Sequence, residues 1–151
     1  MKMVFVECNA DVALVSALGL PKASVDHAFD KGRVCRRVEK NDESVGMIDE
    51  DPNAPQPAYL DALAASPDAH GVRSLQDRSG RTRIVVLCPR LEDWLAKAAK
   101  DAGVSVADFG FDPKFLHTET GEKTEQLKRL VGDLRSKGSP RLKRLEDALK
   151  S

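Results

Sequence analysis

Three carboxylates near predicted strand ends are the residues of this chain best suited to chemistry. Residues 45–48 form an apolar run that stops at Asp49-Glu50-Asp51, and Pro52 then prevents further strand pairing. On an extended strand alternate residues share a face, so we expect Asp49 and Asp51 to point the same way, about 6–7 Å apart, with Glu50 pointing away. Carboxylates at that separation repel each other, and a hard divalent cation such as Mg²⁺ relieves the repulsion. An acidic turn between a strand and a loop explains the same pattern.

The third carboxylate, Glu7, ends another short apolar run at residues 4–6. A helix is predicted to follow at once, with Asn9 as its N-cap, Asp11 in its first turn and Gly19 as its end. A strand, helices and a second strand form a right-handed crossover, so the two strands are expected to be parallel. Glu7 and the acids after residue 48 should then meet at the sheet edge where open α/β folds bind ligands.

The rest of the chain supplies the elements that would position these acids. Residues 22–41 are polar and predict two helices, near 22–30 and 31–41, with a break around Gly32. Further elements follow from periodicity and turn signals: a short helix over 59–65, a hairpin of strands 72–77 and 82–88, an amphipathic helix from 90 to 103, and helices near 123 and after 140. The pattern predicts an α/β fold.

Composition limits the class of protein. The chain has 151 residues, which suits one domain, and it lacks an apolar run of about 18 residues, so we expect no membrane span. Aromatic residues make up only 5%, which argues against stacking platforms for single-stranded nucleic acid. The three cysteines share no CxxC spacing and the N-terminus reaches an acid too soon for a signal peptide, so a reducing cytoplasm is expected.

Charge is unevenly distributed although the formal net charge is zero. Residues 123–151 carry nine basic and four acidic side chains, which gives +5, so residues 1–122 carry −5. A basic segment on an acidic body is compatible with binding a polyanion, and equally with ordinary solvated helix faces. The candidate contacts to a nucleic-acid backbone are Arg33, Arg36, Arg37, Arg141 and Arg144.

The order of the acidic motifs resembles a known family. Glu7 after Val4-Phe5-Val6, followed by a helix and then by Asp49 and Asp51 before Pro52, is similar to the motif order of the topoisomerase–primase (Toprim) domain. The resemblance covers roughly residues 3–110, and residues 89–95 are similar to a helix of small stand-alone Toprim-like proteins, akin to the nuclease half of overcoming-lysogenization-defect proteins.

This resemblance implies a fold and an activity. The fold would be a mainly parallel sheet flanked by helices, with a hairpin and C-terminal helices, in one domain over 1–151. Its Toprim-like core would span 1–110, and a helical extension 111–151. The activity would be Mg²⁺-dependent phosphodiester processing on nucleic acid, with Mn²⁺ as a substitute. Glu7 would be a metal ligand or general base, and Asp49 and Asp51 would be metal ligands.

Two other functions remain open. The first is a non-catalytic α/β module that docks on an ATPase, which the small size favours, as does Cys8 at a position where the family usually has glycine. The family also commonly has a further strand between its motifs, where residues 22–44 here look helical. The second is a phosphatase or receiver-like acid pocket, although residues 52–54 lack the Thr or Val expected after such a motif.

Overall fold

The computed structural model describes residues 2–65, 68–114 and 117–150. Within these residues the fold is built around one mixed β-sheet of six strands. The strands are β1 (Val4–Val6), β2 (Val25–His27), β3 (Val45–Asp49), β4 (Ala64–Ala65), β5 (Val72–Gln76) and β6 (Arg83–Leu87). Their order across the sheet is β2-β1-β3-β6-β5-β4. The first four strands in that order are mutually parallel, whereas β5 and β4 are antiparallel to their neighbours.

Helices cover both faces of this sheet. They are α1 (Asn9–Ala17), α2 (Lys31–Lys40), α3 (Leu91–Asp101), α4 (His117–Glu122), α5 (Thr124–Ser136) and α6 (Pro140–Lys150). Buried side chains of α1, α3, α5 and α6 share one core with alternate strand residues such as Val6 and Met47. Buried residues of α2 share a second core with the intervening strand residues, such as Phe5 and Ile48. Because side chains alternate along a strand, the two cores lie on opposite faces of the sheet.

The structure confirms the α/β fold, the parallel pairing of β1 with β3, the hairpin of β5 and β6, and the helix after residue 90.

The tight fit of α2 against the sheet depends on Gly46. A Cβ atom there would lie 2.6 Å from Val34 Cγ1 and 2.8 Å from Ile84 Cδ1, so only glycine allows this approach.

Three local predictions are wrong. Residues 22–30 do not form a helix: a 3-10 turn over Lys22–Ser24 leads into β2, which pairs in parallel with β1. Sheet pairing here outweighs the weak helix preference of a short polar segment. Cys8, not Asn9, is the N-cap of α1. The predicted helix over 59–65 is a 3-10 turn, Ala58–Ala62, followed by β4.

Within the described residues, no helix combines the length and apolar character needed to cross a membrane.

Candidate functional site

Glu7 and Asp49 meet at the carboxyl edge of two adjacent parallel strands. Val6 lies opposite Met47 in the register of β1 and β3, so the residues that follow each strand emerge side by side. Oε2 of Glu7 accepts a hydrogen bond of 2.9 Å from the backbone N–H of Asp49. The Glu7 carboxylate therefore contacts the backbone of a residue 42 positions away in sequence, at one edge of the sheet.

Asp11 adds a third carboxylate to this cluster, in the first turn of α1. Its side chain is buried, with 2% exposed, and its Oδ2 accepts the backbone N–H groups of Glu7 and Cys8 at 3.2 Å each. The Cys8 thiol donates to the same oxygen at 3.4 Å. The sequence predicts only that Asp11 lies in the first turn of a helix; in the structure it forms a capping box with Cys8, and this capping places it against Glu7. The spacing of the two acids could have predicted this contact. Asp11 follows Glu7 by four residues, and the helix that begins between them turns the chain so that Asp11 comes back towards Glu7.

The first turn of α3, which follows β6, contacts the cluster through Asp49. Oδ1 of Asp49 accepts the backbone N–H of Leu91 at 3.1 Å, and Leu91 is the first residue of that helix. Glu92 follows in the same turn and is nearly buried, with 9% exposed. The N-terminus of a helix favours negative charge, so this contact partly compensates a carboxylate that the fold has removed from water.

Burial and mutual repulsion raise the pKa values of these acids. Burial is the largest cause for Asp49, and the charges of Asp11, Glu7 and Glu92 add to it, which brings its pKa from 3.8 to about 8. Burial and the charge of Glu7 raise the pKa of Asp11 to about 7. Burial also raises the pKa of Glu7, against the opposing effect of the Lys31 ammonium. The cluster therefore retains protons near neutral pH that isolated carboxylic acids would have lost.

Asp51 and Glu50 lie just beyond the end of β3 and differ in their surroundings. Asp51 has a left-handed backbone, with φ of 40°, and its Oδ1 lies 3.5 Å from Nε of Arg90. The prediction that strand alternation gives Asp49 and Asp51 a common face is wrong, because β3 ends at Asp49. The charge of Asp51 still contributes to the raised pKa of Glu7. Glu50 points away as predicted, and its Oε2 lies 3.3 Å from Nη1 of Arg73.

Lys31 brings a positive charge to the rim of the site. It is the first residue of α2, and its Nζ donates to the Glu50 carbonyl at 3.0 Å and to Oε1 of Gln56 at 3.2 Å. These contacts tie α2 to the loop after β3. The sequence places Lys31 only in a basic helix, because its proximity to Glu7 depends on the pairing of β2 with β1.

Cys8 lies where the resemblance predicts a glycine, and a cysteine at this position introduces no backbone strain. Its φ of −145° and ψ of 174° are extended values that any residue adopts. Its thiol is a neutral donor to Asp11, since burial and the nearby carboxylate raise the pKa of the thiol.

The carboxylates of this cluster have the oxygen atoms that a hard cation prefers, but their arrangement does not surround a cation. Glu7, Asp11 and Asp49 offer only oxygen ligands, and burial raises the pKa of each of the three. Among the described residues, however, no group of three or more His, Cys, Asp or Glu side chains has an arrangement that would hold a metal ion. Glu7 and Asp49 each accept a backbone N–H with one carboxylate oxygen, which leaves further lone pairs of each carboxylate for a cation.

The five candidate arginines fall on two separate helices. Arg33 and Arg37 of α2 lie 3.5 Å from Asp30 and 2.9 Å from Asp26, respectively, while Arg36 is exposed. Arg141 lies 3.7 Å from Asp101 and belongs, with Arg144, to α6. Because α2 and α6 pack on opposite faces of the sheet, the two sets do not form one continuous surface.

Comparison of the chain with models of protein families, with curated proteins and with solved structures found no match.

Proposed function

We propose that this chain is a Toprim-like, Mg²⁺-dependent phosphodiester-processing protein that acts on DNA or RNA. The observation that carries the proposal is the contact of Glu7 with Asp49, beside buried Asp11, at the carboxyl edge of parallel strands. Open α/β folds bind ligands at this edge, and acids held there against their repulsion are typical of functional sites. The presence of β2 between the two acidic motifs also agrees with the usual Toprim arrangement.

Each residue has a role in this proposal. Asp49 and Asp51 would hold Mg²⁺, which when bound polarises a phosphoryl oxygen and lowers the pKa of a water or hydroxyl nucleophile. Glu7 would accept the proton of the nucleophile, and a pKa raised by burial makes its carboxylate a stronger base for this step. Asp11 positions Glu7 by fixing the backbone N–H of that residue. Arg33, Arg36 and Arg37 would contact phosphates on the α2 side, and Arg141 and Arg144 on the α6 side.

Cleavage of plasmid DNA and of a labelled RNA by the purified protein, with and without Mg²⁺, tests this function. Glu7→Gln should lower the rate by about 10²- to 10⁴-fold, the usual contribution of a general base. Asp49→Asn should abolish the Mg²⁺-dependent cleavage while retaining an acceptor for the N–H of Leu91. Glu50→Gln is the matched control, since this neighbouring acid points to the other face of the sheet and should leave the rate unchanged. Cleavage that persists in Asp49→Asn would refute the assignment.

A second candidate function is that of a non-catalytic partner of an ATPase. The hydrogen bonds that Glu7 and Asp49 accept from backbone N–H groups favour it, since they give both acids a purely structural role. Calorimetric titration with Mg²⁺ separates the two functions. Binding at millimolar concentration or tighter supports the catalytic proposal, whereas no binding together with no cleavage in the presence of a co-expressed ATPase supports the docking role.

The cysteines support a cytoplasmic location as part of the proposal. Cys8, Cys35 and Cys88 are all free thiols, as is usual in a reducing compartment.

A further inference from the structure

Phe29 is exposed to solvent, although large apolar side chains are usually buried. Among the described residues it is the one large hydrophobic side chain on the surface, with 65% of its area exposed. It follows the carboxyl end of β2, the strand next to β1, and so lies at the same edge of the sheet as Glu7. An isolated exposed apolar side chain is common, so exposure alone assigns no role.

The backbone of Phe29 is also strained. Its φ of 78° lies in the left-handed region, which glycine adopts freely and a bulky residue rarely does. Strain of this kind concentrates at functional sites, where the surrounding structure maintains it. A left-handed backbone together with an exposed aromatic ring makes Phe29 a candidate for a functional role.

The ring of Phe29 is stacked on a second ring that is anchored to the acidic cluster. The ring centroids of Phe29 and His27 are 4.2 Å apart and the rings are inclined by 26°. Nε2 of His27 donates to the backbone carbonyl of Glu7 at 3.1 Å. His27 thus covers one face of the Phe29 ring and is itself hydrogen-bonded to Glu7, while 65% of the Phe29 area stays exposed.

We propose that the His27–Phe29 pair is a stacking platform for one unpaired base of a single-stranded nucleic acid whose backbone passes the acidic cluster. This inference rests on the proposed function and adds the substrate class, single strands over duplexes. Stacking requires only the flat face of a base, so the platform would bind bases of any sequence. Lys31 and Arg33, in the first turn of α2 just after Phe29 in the chain, would contact the flanking phosphates.

The low aromatic content does not conflict with this inference. At 5% aromatic residues the chain has too few rings for a row of platforms, but one pair is enough for one base.

The test is the Phe29→Gly variant, because the platform predicts opposite effects on binding and on stability. Glycine removes the ring and relieves the left-handed strain, so the variant should be at least as resistant to urea as the wild type. Its affinity for a fluorescein-labelled single strand of about 12 nucleotides, made as DNA and as RNA, should fall by about 5- to 150-fold. Phe29→Trp keeps an aromatic face and should bind at least as well as the wild type.

The matched control is Glu43→Gly. Glu43 also has a left-handed backbone, with φ of 60°, and is exposed, but it precedes β3 and therefore lies at the opposite edge of the sheet. Glu43→Gly should relieve strain without lowering affinity, because the loss of a negative charge can only favour binding of a polyanion.

Binding is measured by fluorescence anisotropy in EDTA, so that it does not depend on Mg²⁺ or on cleavage. Single-strand binding that falls in Phe29→Gly, with duplex binding unchanged, supports the platform. A wild type that binds no single strand, or a Phe29→Gly variant within about twofold of the wild type, overturns it. Cleavage by the wild type together with unchanged binding in Phe29→Gly would overturn the platform alone. An inactive protein whose binding depends on Phe29 would overturn only the proposed catalysis.

Discussion

Replacing Asp49 by Asn should stabilise the protein in the absence of divalent cations. The fold raises the pKa of this carboxyl group from 3.8 to about 8, mainly by burial and then by the charges of Asp11 and Glu7. At pH 7 the unfolded chain ionises Asp49 while the folded chain keeps it largely protonated. This difference favours the unfolded state, and an uncharged amide of the same shape removes it.

The magnitude follows from the pKa values. One pKa unit corresponds to about 1.4 kcal/mol, so the interval from 3.8 to pH 7 sets an upper limit of about 4 kcal/mol for Asp49. Asp11 and Glu7 share the same repulsion, so part of that limit belongs to the cluster and not to one residue. We therefore expect Asp49→Asn to raise the free energy of unfolding by about 1–3 kcal/mol at pH 7. At pH 5, nearer the ordinary value of a carboxyl group, the gain should be about 1 kcal/mol or less.

Urea denaturation in EDTA at both pH values measures the effect. Asp108→Asn, the same change at an exposed position, should alter the free energy of unfolding by less than about 0.5 kcal/mol. At pH 8, Mg²⁺ at about ten times its dissociation constant should stabilise the wild type by about 1.4 kcal/mol and leave Asp49→Asn unchanged. A variant that is less stable than the wild type at pH 7 would show that the contact with the N–H of Leu91 outweighs the repulsion, and the reasoning would fail.

Two further predictions concern the wild-type cluster and the packing behind it. In EDTA the free energy of unfolding should fall as the pH rises from about 4 to about 8, since a carboxyl with a raised pKa in the folded state contributes stability that is lost as the pH rises through that pKa. Added Mg²⁺ should reduce this fall, and urea titrations that show stability rising over the same range would contradict the prediction. Gly46→Ala should lower the free energy of unfolding by about 1–3 kcal/mol because its methyl group would overlap Val34 and Ile84. Gly132→Ala, inside α5 where a methyl group meets no atom within 4 Å, should raise it by about 0.5–1 kcal/mol in the same urea assay, and equal effects of the two changes would refute the packing argument.

The sequence alone predicted the parts of the fold that have a strong local signal. Continuous apolar runs predicted β1, β3 and β6, and apolar residues at helical spacing predicted α1, α3 and α5. The crossover rule then predicted that β1 and β3 are parallel, which brings Glu7 to Asp49. These inferences held because each depends on the chain's own periodicity or on a rule that few folds break.

The tertiary structure decided what depends on contacts between distant segments. Val25–His27 is a strand only because β1 offers a parallel edge, so no local pattern predicts β2. The pairing of β2 in turn places His27 and Phe29 beside Glu7, and the onset of α1 turns Asp11 from an ordinary cap into a buried member of the cluster. Sequence spacing supplies the acids and the strands that carry them. Their burial and the resulting changes in pKa arise only when the packed helices and the sheet edge exclude water together.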